Sequence, residues 1–382
     1  MMRDNRAMTS TLPLITVDLA AITHNVATMR ERVGRPLMAV VKANGYGHGM
    51  LPVAAAAQRG GADALGVATI EEAVALRDGG TAGRIVCWLH APRADYAAAI
   101  AHDIEVASSA VWALAEIEAA ARTGKTPAKV HLKIDTGLAR SGATAEEWPD
   151  LVARAATAQR DGLIEVVGVW SHFAYADSPG HPTIAAQRGN FVDAVEVAKS
   201  AGLSGFERHL ANSAATLNDP DSWFDMVRPG VAIYGLDPVG GDSRALGLRP
   251  AMRVEVPVAL TKRVSAGTSV SYGHTYTTDR ETTLALIPVG YADGIPRNAS
   301  GVGPVGIGGV RHTISGRVCM DQFVVDVGDA NVQPGDIATL WGDGRGGTPT
   351  AQDWADATDT IHYELVTRIG GRFVTTYVGG VG

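Results

Sequence analysis

The chain has 382 residues, of which 46% are hydrophobic and 19% are charged, and it carries a formal net charge of -7. These values are typical of a globular protein and argue against a surface for nucleic acid or anionic membranes, which clustered Lys and Arg would provide. The two cysteines, Cys87 and Cys319, fit neither a disulfide framework nor the ligand spacing of a zinc site, so we expect no bound metal.

The first twenty residues lack the pattern of a secretory signal peptide. Asp4 lies among the basic residues, Asp18 interrupts the apolar stretch, and no cleavage pattern follows. The apolar runs of the chain are too short to span a membrane. Together with the low cysteine content, these features predict a cytoplasmic protein with no membrane partner.

Between residues 37 and 236, short runs rich in Val, Ile and Leu alternate with Ala-rich segments of helical pattern. The spacing of these runs predicts a (β/α)8 TIM barrel, an α/β fold, over residues 11–245. One helix is expected over 69–80, starting at Thr69, and another over 108–125. The eight predicted strands are 37–41, 64–68, 85–89, 104–107, 130–134, 166–170, 207–210 and 226–235.

From residue 246 to the end at 382, the helical segments give way to short strand-like runs separated by Gly, Pro and Asp. This pattern predicts a second, mostly β domain. The stretch LPLITVDL (12–19) could add a strand to it. The predicted runs are 251–267, 282–291, 303–309, 311–318, 322–329 and 336–344.

The first barrel strand ends in AVVKANGYGHG (39–49), where Lys42 follows a buried run and Tyr46 lies between glycines. Barrels collect their chemistry at the carboxyl ends of the strands. A lysine held there can lose its charge by burial and form a Schiff base. The alternative is an ordinary surface lysine.

Other strand ends carry further candidates. Strand five runs into LKIDTGLARSG (132–142), which brings Lys133 and Arg140 together with Asp135; the alternative is a local ion pair between Asp135 and Arg140. Strand six ends in WSHFAYAD (170–177) with His172, which could instead be a core histidine.

The loops after strands seven and eight are where barrels often bind phosphate. ANSAAT (211–216) offers the side chains of Asn212 and Ser213, and RPGV (228–231) offers Arg228 and the backbone of Gly230 and Val231. The alternative for RPG is a simple turn. A lysine able to form a Schiff base beside a phosphate site suggests pyridoxal phosphate as cofactor.

These stretches together resemble the alanine racemases, pyridoxal-phosphate enzymes with a barrel followed by a β domain. Further matching motifs lie in the second half of the chain, and the resemblance covers about residues 15–377. It implies a racemase acting on alanine through an aldimine with two opposed bases, supplying D-alanine for peptidoglycan or degrading it. The further motifs are SYGHTY (271–276), PVGYADGIPR (288–297), GRVCMDQ (316–322) and IHYELVTRIG (361–370).

The resemblance also implies which residues hold the cofactor. Lys42 would carry it as the aldimine and act as one base. Arg140 would contact the phenolic oxygen and the substrate carboxylate, and Arg228 would face the pyridine nitrogen. The residues implied to hold the phosphate are Tyr46, Ser213, Gly230, Val231 and Tyr363.

A homodimer with shared active sites is implied as well. Tyr272, the opposite base, and the backbone N–H of Met320 would reach the site from the partner subunit. Tyr291 would line the entry, and His172 would support Tyr272 and Arg228 by hydrogen bonds. Lys133 matches a position that some family members carbamylate.

Four other functions stay open at this point. A racemase for serine or a wider set of amino acids would have the same fold, as would a decarboxylase for a longer, charged substrate. A non-catalytic pyridoxal-phosphate carrier would resemble the barrel alone. A sugar-phosphate barrel enzyme fits the strand ends but not the motifs of the second half.

Overall fold

The computed structural model describes residues 12–124 and 126–380, which form two compact units. We call residues Ile22–Gly45 and Gly49–Leu248 the barrel unit, and residues 12–21, 46–48 and 249–380 the β unit. The division at residue 248 lies three residues beyond the predicted domain boundary at 245. Residues 11, 381 and 382, at the predicted outer limits of the two domains, lie outside the described residues. The first strand, β1 (Leu14–Asp18), belongs to the β unit.

Seven parallel strands of the barrel unit pair in chain order, each with the next. Strands β3 and β5 are buried along their whole length, as expected for parallel strands covered by helices on one side and by a core on the other. The strands are β2 (Met38–Val40), β3 (Ala64–Val67), β4 (Arg84–Cys87), β5 (Glu105–Ser108), β6 (Ala128–Lys133), β7 (Ile164–Trp170) and β8 (Glu207–His209).

The prediction of a regular eighth strand was wrong, because residues 226–235 form no regular strand. Val227 makes a single parallel bridge to Leu37, and a 3-10 helix follows over Val231–Tyr234. Pro229 lacks an N–H and cannot continue a ladder. The segment nevertheless joins both ends of the sheet, since the Arg228 N–H donates to Ala211 O and the Met38 N–H donates to Val227 O. The predicted (β/α)8 class is confirmed in this closed arrangement.

The helices follow the predicted pattern. The helix predicted over 69–80 is Ile70–Asp78, and Thr69 and Glu72 form a reciprocal capping box at its start. The helix predicted over 108–125 is Val111–Thr123. The other α-helices are Leu19–Val33, Met50–Arg59, Tyr96–Ala101, Trp148–Arg160, Pro182–Ser200, Ser213–Asn218, Ala351–Ala357 and His362–Arg368. None of the helices in the described part of the chain is both long and apolar enough to cross a membrane.

The β unit contains a six-stranded sheet in the order β15-β14-β17-β9-β1-β18, a three-stranded sheet β10-β13-β16 and a short pair β11-β12. Strand β1 pairs in parallel with β18 and antiparallel with β9. Buried and half-exposed residues alternate along β1, β9 and β16, as in sheets with one covered face. The strands are β9 (Met252–Pro257), β10 (Leu260–Val264), β11 (Ser269–Val270), β12 (Tyr276–Thr277), β13 (Thr282–Ile287), β14 (Pro304–Ile307), β15 (Val310–Thr313), β16 (Phe323–Gly328), β17 (Ile337–Trp341) and β18 (Val374–Val378).

Candidate active site

Lys42 lies two residues beyond the end of β2, where the backbone turns into an unusual conformation. Residues Ala43, Asn44, Gly45 and Tyr46 all have φ between 51° and 62°, so the chain makes a left-handed turn. For residues other than glycine this conformation costs about 1–2 kcal/mol each. Such a run persists only if its surroundings hold it in place.

Two side chains hold this turn within the barrel unit. The carboxylate of Glu72 accepts the Ala43 N–H at 2.7 Å and the Ala68 N–H at 2.8 Å, so it joins the ends of β2 and β3. The Asn44 side chain accepts the Met50 N–H at 3.0 Å, at the start of the next helix. Lys42 is therefore carried by a fixed segment rather than by a loose loop.

Lys42 faces other cations. Burial lowers the pKa of Lys42, Arg140 lowers it further, and Glu72 opposes the shift. Among residues 12–124 and 126–380, no carboxylate forms an ion pair with Lys42 or Arg140. The structure thus gives Lys42 the features of a lysine that can act as a neutral amine.

The alternative of an Asp135–Arg140 ion pair is wrong. The Asp135 carboxylate instead accepts the backbone N–H groups of Gly137 and Leu138, each at 2.9 Å, and so shapes the loop after β6. No residue in the described part of the chain accepts a hydrogen bond from the Arg140 side chain. Its five N–H donors are therefore available for an anionic ligand.

Lys133 and Arg228 both lie against the face of Trp170. The Lys133 ammonium is 4.4 Å and the Arg228 guanidinium carbon 4.9 Å from the ring centre. Burial, Arg228 and Arg140 lower the pKa of Lys133 to about 8. Burial lowers the pKa of Arg228 to about 9, so it is still a cation at neutral pH.

His172 lies at the centre of these cations. Burial lowers its pKa well below the usual range, and Arg228, Arg140, Lys133 and Lys42 lower it further, so the ring is neutral. Arg228 lies 3.4 Å from His172 Nδ1 and donates to Ser171 O at 2.7 Å. The structure therefore brings five predicted site residues of the barrel unit into one cluster: Lys42, Lys133, Arg140, His172 and Arg228.

Ser213, in the loop after β8, binds the backbone of the eighth segment (226–235). Its hydroxyl accepts the Gly230 N–H at 2.8 Å and the Ala232 N–H at 3.3 Å. Asn212 caps the short helix that follows, because its side chain accepts the Ala215 N–H at 3.1 Å. The predicted phosphate-binding residues of the barrel unit, Val231 included, are thus neighbours in space.

The β unit holds the other predicted residues in two groups and one isolated position. Tyr46 and Tyr363 have ring centres 6.3 Å apart, and burial raises the pKa of Tyr46. Tyr291 and Met320 lie on segments joined by backbone hydrogen bonds, including Tyr291 N–H to Cys319 O at 3.1 Å.

Gly290 makes this close approach of the two segments possible. A Cβ at Gly290 would lie 2.2 Å from Cys319 O, so any other residue would force the segments apart. The position of Tyr291 beside Met320 therefore depends on this glycine.

Tyr272 is largely exposed. It is 73% accessible in the single chain, and Met320 is 54% accessible. The preceding residue, Ser271, has φ +63° and donates its hydroxyl to Arg317 O at 2.8 Å, which fixes the backbone at the start of this turn.

The sequence analysis missed Glu72 and the polar residues inside the barrel. Trp170 stacks on His209 with ring centres 5.7 Å apart, and His209 Nδ1 lies 3.1 Å from Arg228. His131 Nδ1 in turn lies 2.9 Å from His209 Nε2. A signal was present: a charged or histidine residue within an otherwise apolar barrel strand faces the interior only if it has a partner there.

Comparisons with known proteins agree with these features. Family models described as "Alanine racemase, N-terminal domain" and "Alanine racemase, C-terminal domain" match residues 17–238 and 251–377. An alanine racemase of Salinispora arenicola is 58% identical over 356 residues, 93% of this chain and 95% of that relative.

Two solved structures extend the comparison. The alanine racemase from Streptomyces lavendulae has a TM-score of 0.96 at 51% identity, covering 98% of each chain. The alanine racemase from Bartonella henselae, solved with covalently bound pyridoxal phosphate, has a TM-score of 0.87 at 28% identity, covering 97% of this chain and 100% of that one.

Proposed function

Because the chain belongs to the alanine racemase family, a family of isomerases, we propose that it interconverts L-alanine and D-alanine with pyridoxal phosphate on Lys42. One observation carries the assignment to Lys42: its half-buried amine lies beside Arg140 and has no carboxylate ion pair among the described residues. An ammonium in such surroundings loses its proton readily, and the free amine is the form that reacts with an aldehyde.

The residues of the barrel unit fit this cofactor. Lys42, Arg140, Lys133 and Arg228 crowd positive charge around one point, which an anionic phosphate, a phenolate and a substrate carboxylate would balance. The loops joined by Ser213 would receive the phosphate. When bound, pyridoxal phosphate withdraws electrons from the substrate and makes its Cα–H acidic.

Racemisation needs one base on each face of Cα, and we assign these roles to Lys42 and Tyr272. The lowered pKa of Lys42 leaves its amine able to accept a proton. The phenol of Tyr272 is exposed in the single chain. We therefore propose a homodimer in which the partner subunit's Tyr272 and the partner subunit's Met320 complete the site at Lys42.

Arg228 has a separate task. A guanidinium can only donate hydrogen bonds, so facing the pyridine nitrogen it would leave that nitrogen unprotonated. This limits how far negative charge spreads into the ring, which we expect to suppress half-transamination. The low pKa of Lys133 favours the neutral amine that carbon dioxide carbamylates, and the resulting anion would orient Arg140.

The alanine specificity and the cellular setting follow from the same assignment. Tyr291 and Tyr363 are proposed to leave room for little more than a methyl group. We place the reaction in the cytoplasm, where the two free cysteines, Cys87 and Cys319, stay reduced. D-alanine for the cell wall is the proposed product.

The test is chiral chromatography on purified protein with added pyridoxal phosphate and a panel of single L-amino acids. D-alanine should dominate, and Lys42→Ala should abolish it. Lys129→Ala is the matched control, because Lys129 pairs with Asp103 at 2.7 Å outside the cationic cluster. Absence of D-product from every amino acid would refute the proposal.

Shared active sites have their own test. Lys42→Ala and Tyr272→Phe chains are each expected to be inactive. Subunit exchange between them should restore activity, because one site of the mixed dimer then contains both bases. Mixtures that stay inactive despite proven exchange would place Tyr272 in the site of its own chain.

A further inference from the structure

A row of buried polar side chains runs through the inside of the barrel. Arg228 lies 3.1 Å from His209 Nδ1, His209 Nε2 lies 2.9 Å from His131 Nδ1, and His131 Nε2 lies 2.7 Å from Glu105 Oε2. All four residues are at most 5% exposed. Glu105 is the first residue of β5, so the row reaches from the cationic cluster to the amino ends of the strands.

Both ends of this row have a fixed hydrogen-bonding direction. The Arg228 guanidinium has donors only, so His209 Nδ1 must accept and its proton lies on Nε2. His209 Nε2–H then donates to His131 Nδ1, and His131 Nε2–H donates to Glu105. A carboxylate only accepts, so this single arrangement gives every ring nitrogen of the row a partner.

Other charges around the row support the same arrangement. Burial raises the pKa of Glu105, but hydrogen bonds from His131 and Arg84 outweigh burial and bring it to about 2. Arg84 donates to Glu105 at 2.9 Å and to Glu207 at 2.8 Å. Burial lowers the pKa of His209 well below its usual range, and the cations Arg228 and Arg84 lower it further. The row is thus an anchored carboxylate, two hydrogen-bonded rings of which His209 is neutral, and a cation.

We propose that Glu105 is a positioning residue for Arg228: through His131 and His209 it fixes the tautomer that presents an acceptor to the guanidinium. Arg228 is thereby held in one orientation as a full donor. What Arg228 does to a cofactor rests on the proposed function above, whereas the tautomers themselves do not.

The exchange Arg84→Glu/Glu105→Arg should reverse the row. Arg84 donates to both carboxylate oxygens of Glu105, at 2.9 and 3.1 Å, and the exchange keeps this ion pair with its partners reversed. A guanidinium has donors only, so the new side chain at position 105 would turn an N–H toward His131 Nε2. His131 must then carry its proton on Nδ1, and His209 must do the same, so Arg228 meets a second donor. An unfavourable donor–donor contact would replace the 3.1 Å hydrogen bond.

The experiment is ¹⁵N NMR of the histidine rings in the full-length protein, with and without pyridoxal phosphate. The chain has eleven histidines, and His131→Asn and His209→Asn identify the two signals by their loss. Both rings should show the Nε2–H tautomer in the unchanged protein, and Arg84→Glu/Glu105→Arg should shift both to Nδ1–H.

The matched control is the exchange Arg154→Glu/Glu118→Arg. Glu118 also accepts two hydrogen bonds from an arginine, Arg154, at 2.7 and 3.0 Å, but on a helix outside the barrel interior. The control should leave both tautomers unchanged. In the loaded enzyme, Arg84→Glu/Glu105→Arg should lower kcat with little change in KM for alanine, and the control should not.

Two outcomes overturn the proposal: an Nδ1–H or doubly protonated ring at either position in the unchanged protein, or unaltered tautomers in folded Arg84→Glu/Glu105→Arg. If this variant does not fold, the unchanged protein still decides. The expected tautomers in a protein that makes no D-alanine would refute the proposed function and leave the positioning role of Glu105 standing.

Discussion

Replacing Gly168 by alanine should destabilise the barrel unit by about 2–6 kcal/mol, because the new methyl group would enter the space of the His131 ring. A Cβ at Gly168, in β7, would lie 2.0 Å from His131 Nδ1 and 2.7 Å from its Cε1. Ordinary contact needs about 3.5 Å, so the ring would have to move by about 1.5 Å.

His131 has no room for such a movement without losing partners. It is fully buried, and its two nitrogens are held at 2.9 Å by His209 and at 2.7 Å by Glu105. Overpacking costs about 1–3 kcal/mol, and a buried polar group left without its partner costs about 1–3 kcal/mol more. These two contributions give the expected range.

Urea unfolding of the cofactor-free protein, followed by tryptophan fluorescence, measures this effect. Trp170 stacks on His209 and therefore reports on the region that the substitution disturbs. The midpoint should fall while the slope stays the same, as for a change in stability alone.

Gly189→Ala is the control. Gly189 lies inside the helix Pro182–Ser200, and a Cβ there meets no atom within 4 Å. Alanine should stabilise that helix by about 0.5–1 kcal/mol. A Gly168→Ala protein as stable as the unchanged one would refute the packing of His131 against β7.

Three further outcomes are expected. Ser213→Ala removes the acceptor of the Gly230 and Ala232 N–H groups and should weaken the binding of pyridoxal phosphate about tenfold or more in an absorbance titration; an unchanged affinity would contradict a phosphate site at the loops joined by Ser213. Tyr272→Phe should abolish racemisation but retain deuterium exchange at Cα from one enantiomer only, as followed by proton NMR; exchange from both would disprove the second base. The pKa of Glu105 is about 2 in the fold against an ordinary 4.5, so its stabilising contribution is complete above pH 4.5 and is lost as pH falls toward 2; Glu105→Gln should lack this loss in acid unfolding curves.

Most of the seven regular barrel strands were predictable because they are largely apolar runs ended by glycine or polar residues. Strand β8 (Glu207–His209) is polar, and the spacing of the strands along the chain is what indicates it. The eighth was not, since Pro229 and Gly230 replace regular pairing by isolated hydrogen bonds, which an apolar pattern does not reveal. In the second half of the chain, the predicted strand over 311–318 is shorter than expected. Val310–Thr313 form the regular strand, and Ile314 adds a single bridge to Val325.

The left-handed turn after Lys42 could not be predicted from residue types. Asn44 and Gly45 permit a positive φ, but Ala43 and Tyr46 disfavour it. The conformation results from tertiary contacts, among them the hydrogen bond that Glu72 accepts from the backbone of Ala43. A local pattern carries no information about a partner twenty-nine residues away.

The candidate site was predictable where chemistry lies at strand ends, as for Lys42, Arg140 and His172. Glu105 and His131 lie inside the predicted strands 104–107 and 130–134, so an argument from strand ends does not reach them. Their polarity within apolar runs was visible, but their pairing depends on the order of strands around the barrel.

The polar row inside the barrel constrains how this sequence can diverge. Each hydrogen bond of the row joins two of the residues Glu105, His131, His209 and Arg228. An apolar substitution at any one of them therefore leaves a buried charge or donor without its partner. The same substitution becomes tolerable only after its neighbours have changed, which is strong epistasis. Homologous barrels should therefore keep these positions as a set or exchange them together, and pairwise covariation among them should exceed that between neighbouring apolar positions of the same strands.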